Sequence, residues 1–158
     1  MTTDGTTASG RGARDEPPRG ASAAGPRTVW ITGAGAGMGR ATAARAARSG
    51  WTVALSGRRR EVLERLAAEI REAGGAVLVA PLDVQDRKAV RSTAERIAER
   101  LGGIDALVLA AGLNAPKRRW DDQDLTEFDE IVATNLTAVA STVDAALPAC
   151  ASAAGRSW

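Results

Sequence analysis

At 158 residues the chain has room for one compact domain. A hydrophobic share of 44% can build a core, but with aromatics at 3% it is Ala, Val, Leu and Ile that must fill it, which suits a packed α/β layer structure. The 21 Lys and Arg against 19 Asp and Glu are the balance of solvated helix faces rather than of a nucleic-acid binder, and with no histidine and one cysteine, histidine triads, most zinc sites and internal disulfides are excluded.

Residues 1–26 are Gly, Ala, Thr, Ser, Pro and Arg with scarcely a large apolar side chain. Such a segment buries too little surface to offset its ordering entropy and is expected to be a disordered leader. Arg11, Arg14 and Arg19 could make it a weakly basic arm, or the start codon could lie further downstream. It lacks the apolar region of a secretion signal, and a reducing, cytoplasmic setting is expected.

From Arg27 the pattern changes. Thr28 to Thr32 is a short apolar run ending in a Gly-rich turn, which reads as a buried strand. Met38 to Ser49 is helical, with Gly50 as its stop. Thr52 to Ser56 is a second strand. Arg59 to Ala73 is a helix whose Leu63, Leu66 and Ile70 share one face, closed by Gly74 and Gly75. Ala76 to Ala80 is a third strand. Asp86 caps a helix running to Leu101, with Val90, Ala94 and Ile97 inward. Ile104 to Leu109 is a fourth strand. After a loop carrying Lys117, Arg118, Arg119 and Trp120, a last helix begins near Asp124 or Thr126 and runs through Asn135 towards Ala146, ending at Leu147-Pro148-Ala149. No continuous apolar run approaches the roughly 20 residues that span a bilayer, so no membrane partner is expected.

The order βαβαβαβα with apolar strands and amphipathic helices predicts an α/β, Rossmann-type doubly wound parallel sheet, joined by right-handed crossovers. Its strands should run 3-2-1-4, leaving the fourth with an open edge of the kind that invites aggregation.

The first turn reads Thr32-Gly33-Ala34-Gly35-Ala36-Gly37-Met38-Gly39. Gly33 can turn tightly out of the strand, Gly37 lets backbone approach a pyrophosphate, and Gly39 lets the helix pack closely on the sheet. The helix that starts here points free N–H groups and the positive end of its dipole at the phosphates. Placed between the first strand and first helix of a βαβ unit, this cluster predicts dinucleotide binding.

The spacing Thr-Gly-x-x-x-Gly-x-Gly resembles the short-chain dehydrogenase/reductase family, and later segments agree over residues 27–149. Asp83-Val84 after the third strand resembles the family's adenine-contacting pair. Ala110-Ala111-Gly112 stands where the family has the end of Asn-Asn-Ala-Gly, with Leu109 and Ala110 in place of the two asparagines. Asn135 in Thr134-Asn135-Leu136 matches the helix asparagine of the catalytic tetrad. The resemblance implies that Asn135 bends its helix and holds a water connected to the catalytic lysine. The alternative is a polar residue simply bonded to backbone. It further implies hydride transfer between a nicotinamide cofactor and a small carbonyl or alcohol substrate, with an oligomer possible. The family's catalytic Ser and Tyr-x-x-x-Lys are absent, so the chain is expected to be a truncated, inactive member; the alternative is a non-catalytic dinucleotide-binding or regulatory module.

Charge decides the cofactor. An NAD enzyme of this type ends its second strand with an acid that binds the ribose hydroxyls. Here Gly57 stands in that place, followed by Arg58, Arg59 and Arg60. Arginines in a helix's first turn oppose its dipole, so a bound anion accounts for them better than a solvated surface. NADP is therefore expected over NAD, with Arg58 and then Arg59 reading the 2′-phosphate.

Residues 150–158 neither alternate nor cluster like the fifth strand that the family places next, and are expected to be an aberrant or disordered tail. With suitable high-GC codons, reading this tail one base back gives Met-Arg-Glu-Arg-Arg-Gly-Ala-Val-Val-Val, a charged helix exit, a turn and an apolar strand. A frameshift near Cys150 is one expectation; a natural short protein with its own tail is the other.

Overall fold

In a computed structural model of the chain the described residues are 27–114, 119, 121 and 124–154. The leader 1–26 and the last residues 155–158 lie outside them. Four strands alternate with helices in chain order: β1 (Thr28–Thr32), α1 (Gly37–Arg48), β2 (Thr52–Ser56), α2 (Arg60–Glu72), β3 (Val77–Val79), α3 (Arg87–Leu101) and β4 (Ala106–Leu109). One long helical stretch follows: α4 (Leu125–Val132), a π-helical turn (Ala133–Thr137) and α5 (Ala138–Ala154).

The strands form a single parallel sheet in the order β3-β2-β1-β4, the predicted winding. Alternation along the strands sends side chains to two separate cores. Val29, Ile31, Val53 and Leu55 point to one face and meet Leu63, Leu66 and Ile70 of α2 and Ala43 of α1. Trp30 and Ala54 point to the other and meet Val90, Ala94 and Ile97 of α3 and Ala138, Ala145 and Ala149 of α5. All five residues of β1 and of β2 are buried, whereas the four of β4 are only half-buried, as its place at the sheet edge dictates. Burying each large aliphatic side chain contributes about 1.5–3 kcal/mol, so the interleaving of strands and helices is where the fold's stability resides.

Element ends differ from the sequence reading for local reasons. β3 and β4 are shorter than predicted. At β3 the flanking residues keep only single sheet bonds, with Val53 N–H donating to Ala76 O and Ala80 N–H to Leu55 O, both at the strand's margins. Before β4, the Ile104 N–H donates to Ala149 O of α5 at 3.3 Å instead of to a strand. That contact also explains why the helix does not stop at Pro148. A proline removes one i→i−4 bond, but Ala149 is buried in the core and its carbonyl is engaged, and α5 continues to Ala154. The backbone therefore does not break at Cys150.

The expectation about apolar runs also needs correction. The continuous helix Leu125–Cys150 reaches a mean hydropathy of 1.2 over an 18-residue window, enough by length and composition to cross a bilayer. The sequence reading missed it because Thr, Ser and Asn interrupt the apolar residues. One face of this helix packs on α3 and forms part of the core.

Candidate functional site

The site is built on the turn that leaves β1. Gly33 has φ of +69°, and a Cβ on it would overlap the backbone of Ala110 and Ala111 just beyond β4. A Cβ on Gly39, in the first turn of α1, would overlap the Gly33 carbonyl. Strand, helix and neighbouring strand thus approach more closely than any side chain permits. Gly37 has φ of +51° with open space where its Cβ would stand. Ala36, the residue that precedes α1, supplies no side-chain cap. The start of α1 is thus uncapped by any side chain, and its Gly37 and Met38 line the cleft above the turn, an arrangement that suits an anion.

Above this turn lies a cleft of about 470 Å³. One wall carries Gly57, Arg58 and Arg59 from the end of β2, a second carries Leu82 to Gln85 from the β3–α3 connection, and a third carries Ala110 to Leu113 after β4. Arg58 and Arg59 are exposed, and neither makes an ion pair among the described residues, in contrast to Arg60, which reaches Glu64 at 3.6 Å, and Arg40, which binds Glu69 at 2.7 Å. A Cβ on Gly57 would meet only Leu63 Cδ2, at 3.8 Å. That is ordinary contact, so packing does not demand glycine there.

The second wall is a fixed turn. Asp83 Oδ1 accepts the Gln85 amide at 3.0 Å, and the Asp83 carbonyl accepts the Asp86 amide at 3.1 Å. Asp86 in turn caps α3, accepting the amides of Lys88 and Ala89 at 3.0 Å. The third wall is held from the π-helical turn. Asn135 Oδ1 accepts the Leu113 amide and Asn135 Nδ2 donates to the Leu113 carbonyl, each at 2.8 Å. Single π-turns inside α-helices are common at functional sites, and this one has Asn135 at its centre. Neighbouring Thr134 is buried and accepts Gln85 Nε2 at 2.8 Å.

A sequence profile described as short chain dehydrogenase matches residues 27–156. The chain belongs to the short-chain dehydrogenase/reductase family. It is similar to sulfoacetaldehyde reductase 2 of Chromohalobacter salexigens, 39% identical over 120 residues that cover 76% of this chain and 47% of that protein. Among solved structures it resembles the alcohol dehydrogenase of the archaeon Thermococcus sibiricus complexed with 5-hydroxy-NADP. The TM-score is 0.74 at 35% identity, covering 78% of this chain and 52% of that one. A 3-ketoacyl-ACP reductase from Sinorhizobium meliloti matches with a TM-score of 0.73 at 37% identity, covering 77% and 48%. The chain spans about half the length of these relatives.

As a short-chain dehydrogenase/reductase the chain has a nucleotide-binding fold, and most residues picked from its sequence meet at one place. Gly33, Gly35, Gly37, Met38, Arg58, Arg59, Asp83, Val84, Ala110, Ala111 and Gly112 all line the cleft. Three do not. Thr32 is buried at the end of β1, where its carbonyl accepts the Ala110 amide at 3.1 Å. Gly39 is buried beneath the turn. Asn135 acts through Leu113, and a Cβ on Gly112 would stand 3.3 Å from Asn135 Oδ1. Where the family has strand-end asparagines this chain has Leu109 and Ala110, and the side chain that braces the loop after β4 among the described residues is Asn135. Of Lys117, Arg118, Arg119 and Trp120 only Arg119 is among the described residues, and it pairs with Asp121 at 2.8 Å, lowering the Asp121 carboxyl below its usual range.

Sequence reasoning missed Gln85, Leu113 and Thr134 as lining residues. Each sits directly beside a recognised motif, after Asp83-Val84, after Ala111-Gly112 and before Asn135. Adjacency was the available clue.

Proposed function

We propose that this chain is the NADP-binding half of a short-chain oxidoreductase and does not itself complete a catalytic cycle. The observation that carries the cofactor choice is the cleft's β2 wall, with Arg58 and Arg59 exposed and unpaired among the described residues beside a position 57 that has room for an acid and holds none. A 2′-phosphate supplies the anion this wall wants, whereas the ribose hydroxyls of NAD would find no acceptor side chain at position 57. The relative from Thermococcus sibiricus, seen with 5-hydroxy-NADP, supports the same choice.

When bound, the nicotinamide group supplies hydride to, or takes it from, a carbonyl or alcohol carbon. This chain's residues do the holding. The Gly33–Gly39 turn receives the phosphates, Asp83 and Val84 stand at the adenine end, and Asn135 fixes the loop after β4. The resemblance assigns general-acid work to a tyrosine, and the chain contains none. Lack of a positioned acid lowers rates by about 10²–10⁴, so purified chain should leave NADPH absorbance unchanged with ketones or alcohols.

Isothermal titration with NADPH and NADH tests the reading. Wild type should prefer NADPH, and Arg58→Asp should weaken NADPH by about 10- to 100-fold, the worth of a charge-assisted contact to phosphate. An unchanged NADPH Kd in that variant refutes the assignment.

A further inference from the structure

The hydrogen bond from Gln85 Nε2 to Thr134 Oγ1, at 2.8 Å, joins two parts of the cleft that are 49 residues apart in sequence. Gln85 is the last residue of the turn that carries Asp83 and Val84; Thr134 is the second residue of the π-helical turn, whose next residue, Asn135, grips Leu113 by both its amide and its carbonyl. Both partners line the cleft. Gln85 is exposed and makes its turn's one side-chain link to the helix among the described residues, while Thr134 is 6% exposed and offers a rigid acceptor.

We infer that the Gln85–Thr134 pair is a positioning latch for dinucleotide binding, tying the Asp83–Gln85 wall to the Asn135-braced loop after β4. The inference rests on the cofactor reading above. The physical reason is pre-organisation. The turn's own bonds, Asp83 Oδ1 and O with the Gln85 and Asp86 amides, fix its shape but not its placement against the helix. Any freedom left there must be ordered when ligand binds, a cost subtracted from affinity. A side-chain bond to a buried hydroxyl on a helix meets that cost before the ligand arrives. The effect passes through the placement of Asp83 and Val84, so neither Gln85 nor Thr134 is a catalytic residue.

The test measures Kd by calorimetry for NADPH and for 2′,5′-ADP, with thermal melting of each variant as the check on folding. Thr134→Val keeps the shape and removes the acceptor; Thr134→Ser keeps the acceptor; Gln85→Met keeps the length and removes the donor. The latch predicts that Thr134→Val and Gln85→Met each weaken both ligands by roughly 3- to 10-fold, the factor one ordinary hydrogen bond supplies. Thr134→Ser should bind as wild type, and the Gln85→Met/Thr134→Val double variant should be no weaker than either single one. Should Thr134→Val fail to fold, the exposed Gln85→Met site gives the same readout. Variants that bind like wild type, a Thr134→Ser as weak as Thr134→Val, or losses that multiply in the double variant overturn the latch alone. A wild-type chain that binds neither ligand overturns the cofactor reading and the latch with it.

Discussion

Gly39 sits so close to Gly33 that a Cβ on the first would overlap the carbonyl oxygen of the second. This single approach sets the distance between α1 and β1 and so the shape of the phosphate turn. Gly39→Ala gains up to about 1 kcal/mol in helix propensity but forces apart a close-packed pair, at a cost of about 1–3 kcal/mol. The expected net result is a lower urea midpoint and an NADPH affinity reduced at least about tenfold, because the displaced Gly33 carbonyl carries the turn with it. Equilibrium unfolding and calorimetry on the same preparation check both parts.

Position 57 makes the opposite case, a glycine that packing does not require. Gly57→Asp should fold normally and put a carboxylate beside Arg58, where it can accept from ribose hydroxyls and repel a 2′-phosphate. NADPH should weaken by about tenfold and NADH should tighten. The ratio of the two Kd values in wild type should also shrink as salt is added, since the preference for NADPH rests on exposed charges. A ratio insensitive to both changes would place the selection elsewhere.

How much of this was legible in the sequence follows from where the physics is local. β1 and β2 were read to the residue, because short apolar runs bounded by Gly or Ser admit one interpretation, and Asp86 was read as a cap because its carboxylate needs only the next turn's amides. The end of α5 was not legible. Pro148 and the Ala-Ser run argue for a stop, and what overrides them is a distant contact, Ala149 O with Ile104 N–H. The cleft behaved likewise: Gly33, Asp83 and Ala110 announce themselves by motif, whereas Thr134 and Leu113 enter it only through bonds to residues 49 and 22 positions away. The helix asparagine follows the plainer of its two expectations: it is bonded to backbone, from a place within the π-turn of the long helix.

Trp30 lies at the centre of the sheet with no exposed surface, and its indole N–H donates to Ser56 Oγ at 2.9 Å, which itself donates to the Ala80 carbonyl at 2.8 Å. The chain of bonds crosses from β1 through β2 to the residue after β3. Trp30→Phe keeps an aromatic ring but opens a void and leaves Ser56 without its donor. The loss should be about 1–3 kcal/mol, seen as a lower urea midpoint with an unchanged slope.

Asn135 holds Leu113 with one acceptor and one donor, so its two simplest substitutions should differ. Asn135→Ala frees an amide and a carbonyl that water can reach, since Asn135 is exposed, and should cost about 1 kcal/mol. Asn135→Asp keeps the acceptor for the Leu113 amide but sets a second oxygen against the Leu113 carbonyl. Amide hydrogen exchange separates them: Leu113 should exchange roughly tenfold faster in Asn135→Ala and stay close to wild type in Asn135→Asp, while the aspartate variant loses more dinucleotide affinity. Equal exchange rates would mean that Asn135 does not hold this loop.

The thiol of Cys150 is half-buried on α5, and its pKa is raised, first by that burial and second by the negative charge of Asp105. Both causes favour the neutral thiol in the folded chain over the unfolded one, where it ionises near roughly 8.5. The folded state therefore binds this proton more tightly. Whatever stability comes from it is complete below that value and is lost as pH climbs through the higher folded pKa. Comparing wild type with Cys150→Ala isolates the effect from lysines and tyrosine-free background titration. The two should unfold in parallel from pH 6 to about 8, and wild type should then lose stability faster as pH rises towards 10. The same thiol should alkylate more slowly than free cysteine at pH 8, because the reactive thiolate is scarce. Parallel curves across the whole range, or fast alkylation, would show that the thiol titrates as it does in water.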